Sequence, residues 1–150
     1  MNTTQQKRLR KLIAFLRTLD SDHFDFEILR HESNQCGTIA CAIGWTPTVF
    51  PSLIKVVMCG DTGDGLKEYD VAIRGENIKC ASEVPQFLFG LDWGAFIPGG
   101  GVAEIGDDDD DAAMFGVKIK TIEAPGKAAS PCEVADYLER IANHFQLKSA

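Results

Sequence analysis

Positive charge is scarce in this sequence: 15 Lys and Arg residues stand against 22 Asp and Glu residues, which gives a formal net charge of -7 at pH 7. Nucleic-acid binders owe much of their affinity to Lys and Arg side chains that neutralise phosphates. The deficit therefore argues against direct nucleic-acid binding. A protein partner with a basic surface is electrostatically easier.

Cysteine motifs of the short-spaced kind are also missing. The 5 cysteines are an odd number, and Cys36 and Cys41 have four residues between them, which matches neither the C-x-x-C of redox enzymes nor the usual zinc knuckle. Irregularly spaced thiols are typical of a reducing compartment. We therefore expect a cytoplasmic protein with free thiols, no metal and no cofactor.

The sequence has no apolar run suited to secretion or to a membrane. Charges interrupt the apolar residues of the N-terminus, so no secretory signal is predicted. Residues 36–54 are uncharged over nearly the length of a bilayer span, but Pro47, Pro51 and several hydroxyl side chains make them too polar and too broken to cross one. We expect no membrane partner.

The composition, with 45% hydrophobic and 25% charged residues over 150 positions, is that of one soluble domain spanning residues 1–150. An amphipathic helix is predicted at each end. The first has the apolar stripe Leu9, Leu12, Ile13, Leu16 and Leu19 and the basic residues Lys7, Arg8, Arg10, Lys11 and Arg17, a solvated face that a nearby acidic group would stabilise. The last opens on a capping box of Ser130 and Glu133 around Pro131, and its apolar stripe is Val134, Leu138, Ile141 and Phe145.

The middle of the chain predicts a small antiparallel sheet. Alternating and β-branched residues indicate strands at 53–58, 68–73 and 77–80. Residues 82–91 predict a short helix with Ser82 as its cap and Gly90 as its end. The fold class is therefore α+β: a single domain in which N- and C-terminal amphipathic helices pack with short helices and this sheet.

The least ordinary stretch is "NQCGTIACAIGW", residues 34–45, which contains no charge. Thr38 suits the N-cap of a short helix whose small residues allow close packing and which Pro47 would end or bend. Cys36 would then lie at the positive end of that helix, with Cys41 one turn inside, as a reactive and a resolving thiol. No base in a known signature accompanies them, so we expect no catalytic residue and interpret both as packing cysteines.

A second unusual stretch combines "IPGGG" with five aspartates, Asp107, Asp108, Asp109, Asp110 and Asp111. Composition predicts a mobile loop at 98–112. The run fails the pattern of a calcium loop, because Ala112 stands sixth where glycine is required and Lys118 stands twelfth where glutamate is required. These aspartates are the candidate partner-binding residues, and they would either screen the basic face of the first helix or engage a basic partner.

"CGTIACAIGW" resembles the Cys-Gly-Thr-x-x-Cys-x-x-Gly-Trp signature of short bacterial and phage proteins. Weaker matches follow the same order along the chain: Phe24-Asp25, Phe89-Gly90-Leu91, Ser130-Pro131 and Val134-Ala135. Such proteins have no established activity, so the resemblance implies no catalytic residue. It implies the class of a phage or mobile-element accessory protein.

The sequence favours a non-catalytic, acidic, cytoplasmic protein that binds another macromolecule. One alternative is a thiol-dependent enzyme or redox sensor centred on Cys36 and Cys41. Another is an acidic nucleic-acid mimic in which the aspartate run occupies a basic groove of a host protein.

Overall fold

The structure is a computed structural model that describes residues 1–33, 37–61, 66–75, 81–105 and 119–147. Its α-helices are α1 (Thr3–Leu16), α2 (Thr46–Val49), α3 (Val84–Phe89) and α4 (Pro131–Leu147). Its strands are β1 (Arg30–Ser33), β2 (Gly37–Ala40), β3 (Ile54–Asp61), β4 (Leu66–Ile73), β5 (Gly101–Ile105) and β6 (Ile119–Glu123). Single turns of 3-10 helix lie at Ser21–His23, Ala81–Glu83 and Trp93–Phe96. The predicted α+β class is confirmed.

Helix α1 begins at a capping box in which Asn2 and Gln5 satisfy one another's backbone. The Gln5 N–H donates to the Asn2 side chain (2.9 Å), and the Asn2 N–H donates to the Gln5 side chain (2.8 Å). The predicted apolar stripe is buried from Leu9 to Leu16, whereas Leu19 lies beyond the end of the helix and is only partly buried.

Helix α4 starts at the predicted capping box. The Ser130 N–H donates to the Glu133 carboxylate (2.8 Å), and the Glu133 N–H donates to the Ser130 hydroxyl (3.3 Å). The Ser130 hydroxyl also donates to the Glu133 carboxylate (2.9 Å), and the two bonds from the Ser130 N–H and hydroxyl lower the pKa of Glu133. The buried face of α4, which includes Val134, Leu138 and Ile141, packs against α1.

The main sheet has four antiparallel strands in the order β2-β1-β4-β3. The strands predicted at 53–58 and 68–73 are confirmed as β3 and β4, and the one predicted at 77–80 lies outside the described residues. A second antiparallel sheet pairs β5 with β6. Its strand β5 shows that the loop predicted at 98–112 is wrong over residues 101–105, while Asp107 to Asp111 lie outside the described residues.

The helix predicted to begin at Thr38 is wrong. Residues 37–40 form β2, which pairs with β1 so that Glu32 lies opposite Thr38 and His31 opposite Ile39. Thr38 and Ile39 are both β-branched, which suits a strand. Their pairing with β1 outweighs the tendency of Thr38 to cap a helix. Pro47 lies in the first turn of α2 and does not end a helix.

Helix α3 agrees with the prediction at one end only. Gly90 ends the helix in the left-handed conformation, with φ 68°, a region that glycine enters without steric cost. Ser82 is not its cap, because the residue before the first turn is Glu83 and the side chain of Glu83 makes no capping bond.

Candidate functional site

The stretch that resembles a signature is a closely packed corner between β2 and α2. Ala40, Ala42 and Ile43 are fully buried. Gly44 lies so close to the main chain of Leu29 that a Cβ at position 44 would overlap the Leu29 carbonyl oxygen. Glycine is therefore required here by space, and the small residues around it let the two segments approach.

A buried cation completes this corner. Arg30, only 8% exposed, donates from its guanidinium to the carbonyl of Gly44 (3.0 Å) and to the carboxylate of Glu32 (2.9 and 3.0 Å). The guanidinium also lies 5.5 Å from the centre of the Trp45 ring. Burying a charge is costly unless it is paired and hydrogen-bonded, and Arg30 is both. Sequence reasoning missed Arg30, because nothing in its neighbours marks it as buried.

Cys41 belongs to the same packed corner. It is 4% exposed, and its Sγ lies 3.9 Å from the carbonyl oxygen of Leu29. Burial raises the pKa of the Cys41 thiol, so the thiol stays protonated at neutral pH and is a poor nucleophile. Its predicted partner, Cys36, lies outside the described residues.

The histidines closest to this corner along the chain are engaged elsewhere. His23 Nδ1 donates to the carbonyl of Thr38 (3.1 Å). His31 Nε2 lies 3.6 Å from the carboxylate of Glu68 on the neighbouring strand. These contacts link His23 to β2 and His31 to β4.

The basic face of α1 is largely used for packing within the chain. Arg17 pairs with Asp136 (2.9 Å) and Glu139 (2.7 Å) of α4, and this pairing lowers the pKa of Glu139. Lys11 donates to the carbonyl of Val49 (2.9 Å), and the Arg8 guanidinium lies 5.7 Å from the Phe87 ring centre. The acidic groups expected to stabilise α1 are thus found on α4.

The two edges of the main sheet differ. The outer edge of β2 is covered by the segment that follows α1. Phe24 forms a β-bridge to Ala40, and the Asp25 N–H donates to the carbonyl of Ala40 (3.4 Å). His23 Nδ1 donates to the carbonyl of Thr38. The outer edge of β3 has no partner strand within the described ranges. An uncovered edge strand is a template for another strand.

The direction of the main-chain groups along β3 follows from one bond. The Arg74 N–H donates to the carbonyl of Leu53 (2.8 Å), and in an antiparallel pair successive residues face the partner strand alternately. Lys55 and Val57 therefore face β4. The N–H and C=O groups of Val56 and Met58 point away from it, toward the open edge.

The same residues present apolar surface. Val56, Val57 and Met58 are 37%, 39% and 63% exposed, although large apolar side chains are usually buried. Cys59, also exposed, forms a bulge, since the register with β4 shifts between Met58 and Gly60. We call Val56 to Met58 the open edge, and it is the candidate functional site.

Among the described residues no group of three or more His, Cys, Asp or Glu side chains is placed to hold a metal ion. Likewise, no helix in those ranges has both the length and the apolar character to cross a membrane. Comparison of the chain with models of protein families, with curated proteins and with solved structures gives no match.

Proposed function

We propose that this protein is a non-catalytic protein-binding domain that adds an extended segment of a partner to the open edge of β3. One observation carries the proposal: among the described residues β3 is the last strand of its sheet and has three adjacent exposed apolar residues, while β2 at the other end is covered by the segment after α1. Strand addition is a recurrent mode of peptide recognition at such edges.

The open edge offers both affinity and selectivity. Outward main-chain groups at Val56 and Met58 supply hydrogen bonds that do not depend on the partner's sequence. Because side chains alternate between the faces of a strand, Val56 and Met58 lie on one face and Val57 on the other. Apolar contacts on both faces would therefore select the side chains of a partner strand.

The wider properties of the chain favour a basic protein partner in the cytoplasm. The net charge of -7 accelerates encounter with a positively charged surface. Cys41, Cys59 and Cys132 are free thiols, as suits a reducing compartment. A phage or mobile-element accessory protein that engages a host protein fits this description.

Strand addition is supported by the exposed apolar residues of the open edge. The thiol alternative depends on Cys36, and its second thiol, Cys41, is buried with a raised pKa. The mimic alternative depends on Asp107 to Asp111, which lie outside the described residues. If the aspartate run binds a basic groove, capture of a partner should fail at high salt, whereas capture by an apolar edge should persist.

The test separates main-chain from side-chain recognition at one position. Met58→Ala removes only the side chain, whereas Met58→Pro also removes an N–H that points away from β4, a place where an edge strand tolerates proline. Partners captured from a lysate on immobilised protein are quantified by mass spectrometry. We expect Met58→Pro to lose at least about tenfold more of a specific partner than Met58→Ala.

A control for folding comes from the neighbouring position. The N–H of Val57 faces β4, so Val57→Pro should lower the melting temperature while Met58→Pro leaves it nearly unchanged. Equal losses in Met58→Ala and Met58→Pro would show recognition by side chains alone. Full capture by Met58→Pro would place the binding surface elsewhere.

A further inference from the structure

A second surface, on the β2 side of the main sheet, contains a cleft of about 190 Å³. Its walls are apolar and comprise Phe26, Leu29, Trp93, Phe96, Ile97 and Pro98. Cys41 forms part of the lining, and Glu27 is the one lining residue that carries a charge. The cleft is built by the segment before β1 and by the 3-10 turn Trp93–Phe96, so it is separate from the open edge of β3.

We propose that this cleft binds the side chain of an arginine from a protein partner. An arginine has an apolar stem of three methylenes and a planar charged head, and such side chains bury the stem while the head stays near water. The apolar walls fit the stem. The carboxylate of Glu27 and the half-buried indole of Trp93 fit the head, since guanidinium groups pair with carboxylates and stack on aromatic rings.

The carboxylate of Glu27 already has an ion-pair partner within the chain. The carboxylate of Glu27 accepts a 2.6 Å ion pair from Lys127, and the two side chains are 50% and 73% exposed. This pairing raises the pKa of Lys127. An exposed pair of this kind contributes little to stability, so an incoming guanidinium can displace the ammonium.

The same protein contains the proposed arrangement in its interior. Arg30 lies over the ring of Trp45 and pairs with the carboxylate of Glu32. In the cleft, Trp93 and Glu27 are the corresponding aromatic ring and carboxylate, and the cation would come from outside. This likeness favours arginine, because a guanidinium can both stack on an aromatic ring and pair with a carboxylate, whereas an uncharged side chain cannot form an ion pair with Glu27.

The experiment uses two small probes of equal shape. n-Butylguanidinium carries the stem and charge of an arginine side chain, and n-butylurea is its neutral counterpart. Each is titrated into the full-length protein while the indole N–H signals of Trp93 and Trp45 are followed by NMR. We expect n-butylguanidinium to shift the Trp93 signal saturably, to leave that of Trp45 in place, and to bind at least about fivefold more tightly than n-butylurea.

Substitutions of Glu27 and Lys127 test whether binding of n-butylguanidinium depends on the Glu27 carboxylate. Glu27→Gln should weaken binding of n-butylguanidinium about fivefold, and Lys127→Ala should strengthen it about twofold by freeing the carboxylate. Asp20→Asn, which removes an equal charge from an exposed position outside the cleft, should change nothing. Met58→Pro should also leave the titration unchanged, so failure at the open edge and failure at the cleft are distinguishable.

Three results would overturn the proposal. The first is equal affinity for the two probes, which would show that the cleft recognises the apolar stem and not the charged head. The second is a Glu27→Gln variant that binds n-butylguanidinium as well as the unaltered protein does. The third is a Trp93 signal that does not move saturably.

Discussion

Gly44 packs directly on the carbonyl of Leu29, so that the main chain before β1 and the main chain after β2 lie in contact. Any side chain at position 44 would force them apart. Leu29 and Cys41 also line the cleft, whereas Arg30, Ala42 and Ile43 beside this contact are buried. The corner therefore determines how the β1–β2 hairpin is attached to the body of the protein.

Gly44→Ala is expected to destabilise the protein by about 2–4 kcal/mol, because the added methyl group must displace backbone and not a flexible side chain. Urea unfolding followed by circular dichroism measures the change. Gly126→Ala is the matched control, since a Cβ at position 126 would meet nothing within 4 Å. A loss equal to that of the control would show that the corner can relax.

Arg30→Met is expected to cost about 2–4 kcal/mol, although it preserves much of the apolar stem. The change leaves the buried carbonyl of Gly44 and the partly exposed carboxylate of Glu32 without their donor, and a buried polar group without a partner is costly. Chemical unfolding is the measurement. Lys7→Met, at an exposed position on α1, should change stability by less than about 0.5 kcal/mol.

Tyr137→Phe is expected to leave stability unchanged at neutral pH or to raise it by about 0.5–1 kcal/mol. The Tyr137 hydroxyl is buried and has no hydrogen-bond partner among the described residues, so its removal relieves a desolvation cost. A loss of more than about 1 kcal/mol would show that this hydroxyl has a partner.

The pH dependence of the same residue provides a second measurement. Burial raises the pKa of Tyr137 from its ordinary 10.0 to about 12, against the opposing effect of Arg140. The unfolded chain therefore loses this proton at a lower pH than the folded chain does. Because the folded state disfavours the phenolate of Tyr137, the free energy of unfolding is unaffected by this group below pH 10 and falls as pH rises from 10 to 12. The free energy of unfolding of the Tyr137→Phe variant should therefore fall less steeply with pH over that range.

Cys41 should react with a thiol reagent far more slowly than Cys59 and Cys132 in the native protein. Cys59 and Cys132 are exposed, whereas Cys41 is buried and its pKa is raised by that burial. Mapping of the labelled cysteines by mass spectrometry over time gives the rates, and unfolding in urea should abolish the difference. Native labelling of Cys41 as fast as that of Cys132 would revive the thiol-dependent alternative.

Local signals explain which parts of the fold were predictable. Helices α1 and α4 each have an apolar stripe, and the capping box of α4 is also recognisable in the sequence, so the positions of both helices follow from the sequence alone. The capping box of α1 at Asn2 and Gln5 was not predicted. Strand β2 has no such local signal in its sequence. Thr38 is an acceptable helix cap by local rules, and only its pairing with β1 makes it part of a strand.

The candidate sites were harder to predict, because each depends on distant parts of the chain. Val56 to Met58 form an apolar run that predicts a strand, but the sequence does not say that this strand ends the sheet. Glu27 and Trp93 are 66 positions apart in the numbering and meet only through the fold. The aspartate run, which composition singles out, lies outside the described residues and stays a prediction.

The bulge at Cys59 limits what the open edge can hold. Beyond Met58 the alternation of main-chain groups slips by one residue, so a strand in register with Val56 and Met58 loses its hydrogen bonds at that point. We therefore expect a docking segment to be short and to make few main-chain hydrogen bonds with the open edge. Because a bulge also disfavours edge-to-edge pairing of identical strands, we expect the open edge to bind a short segment without assembling copies of this protein into a fibre.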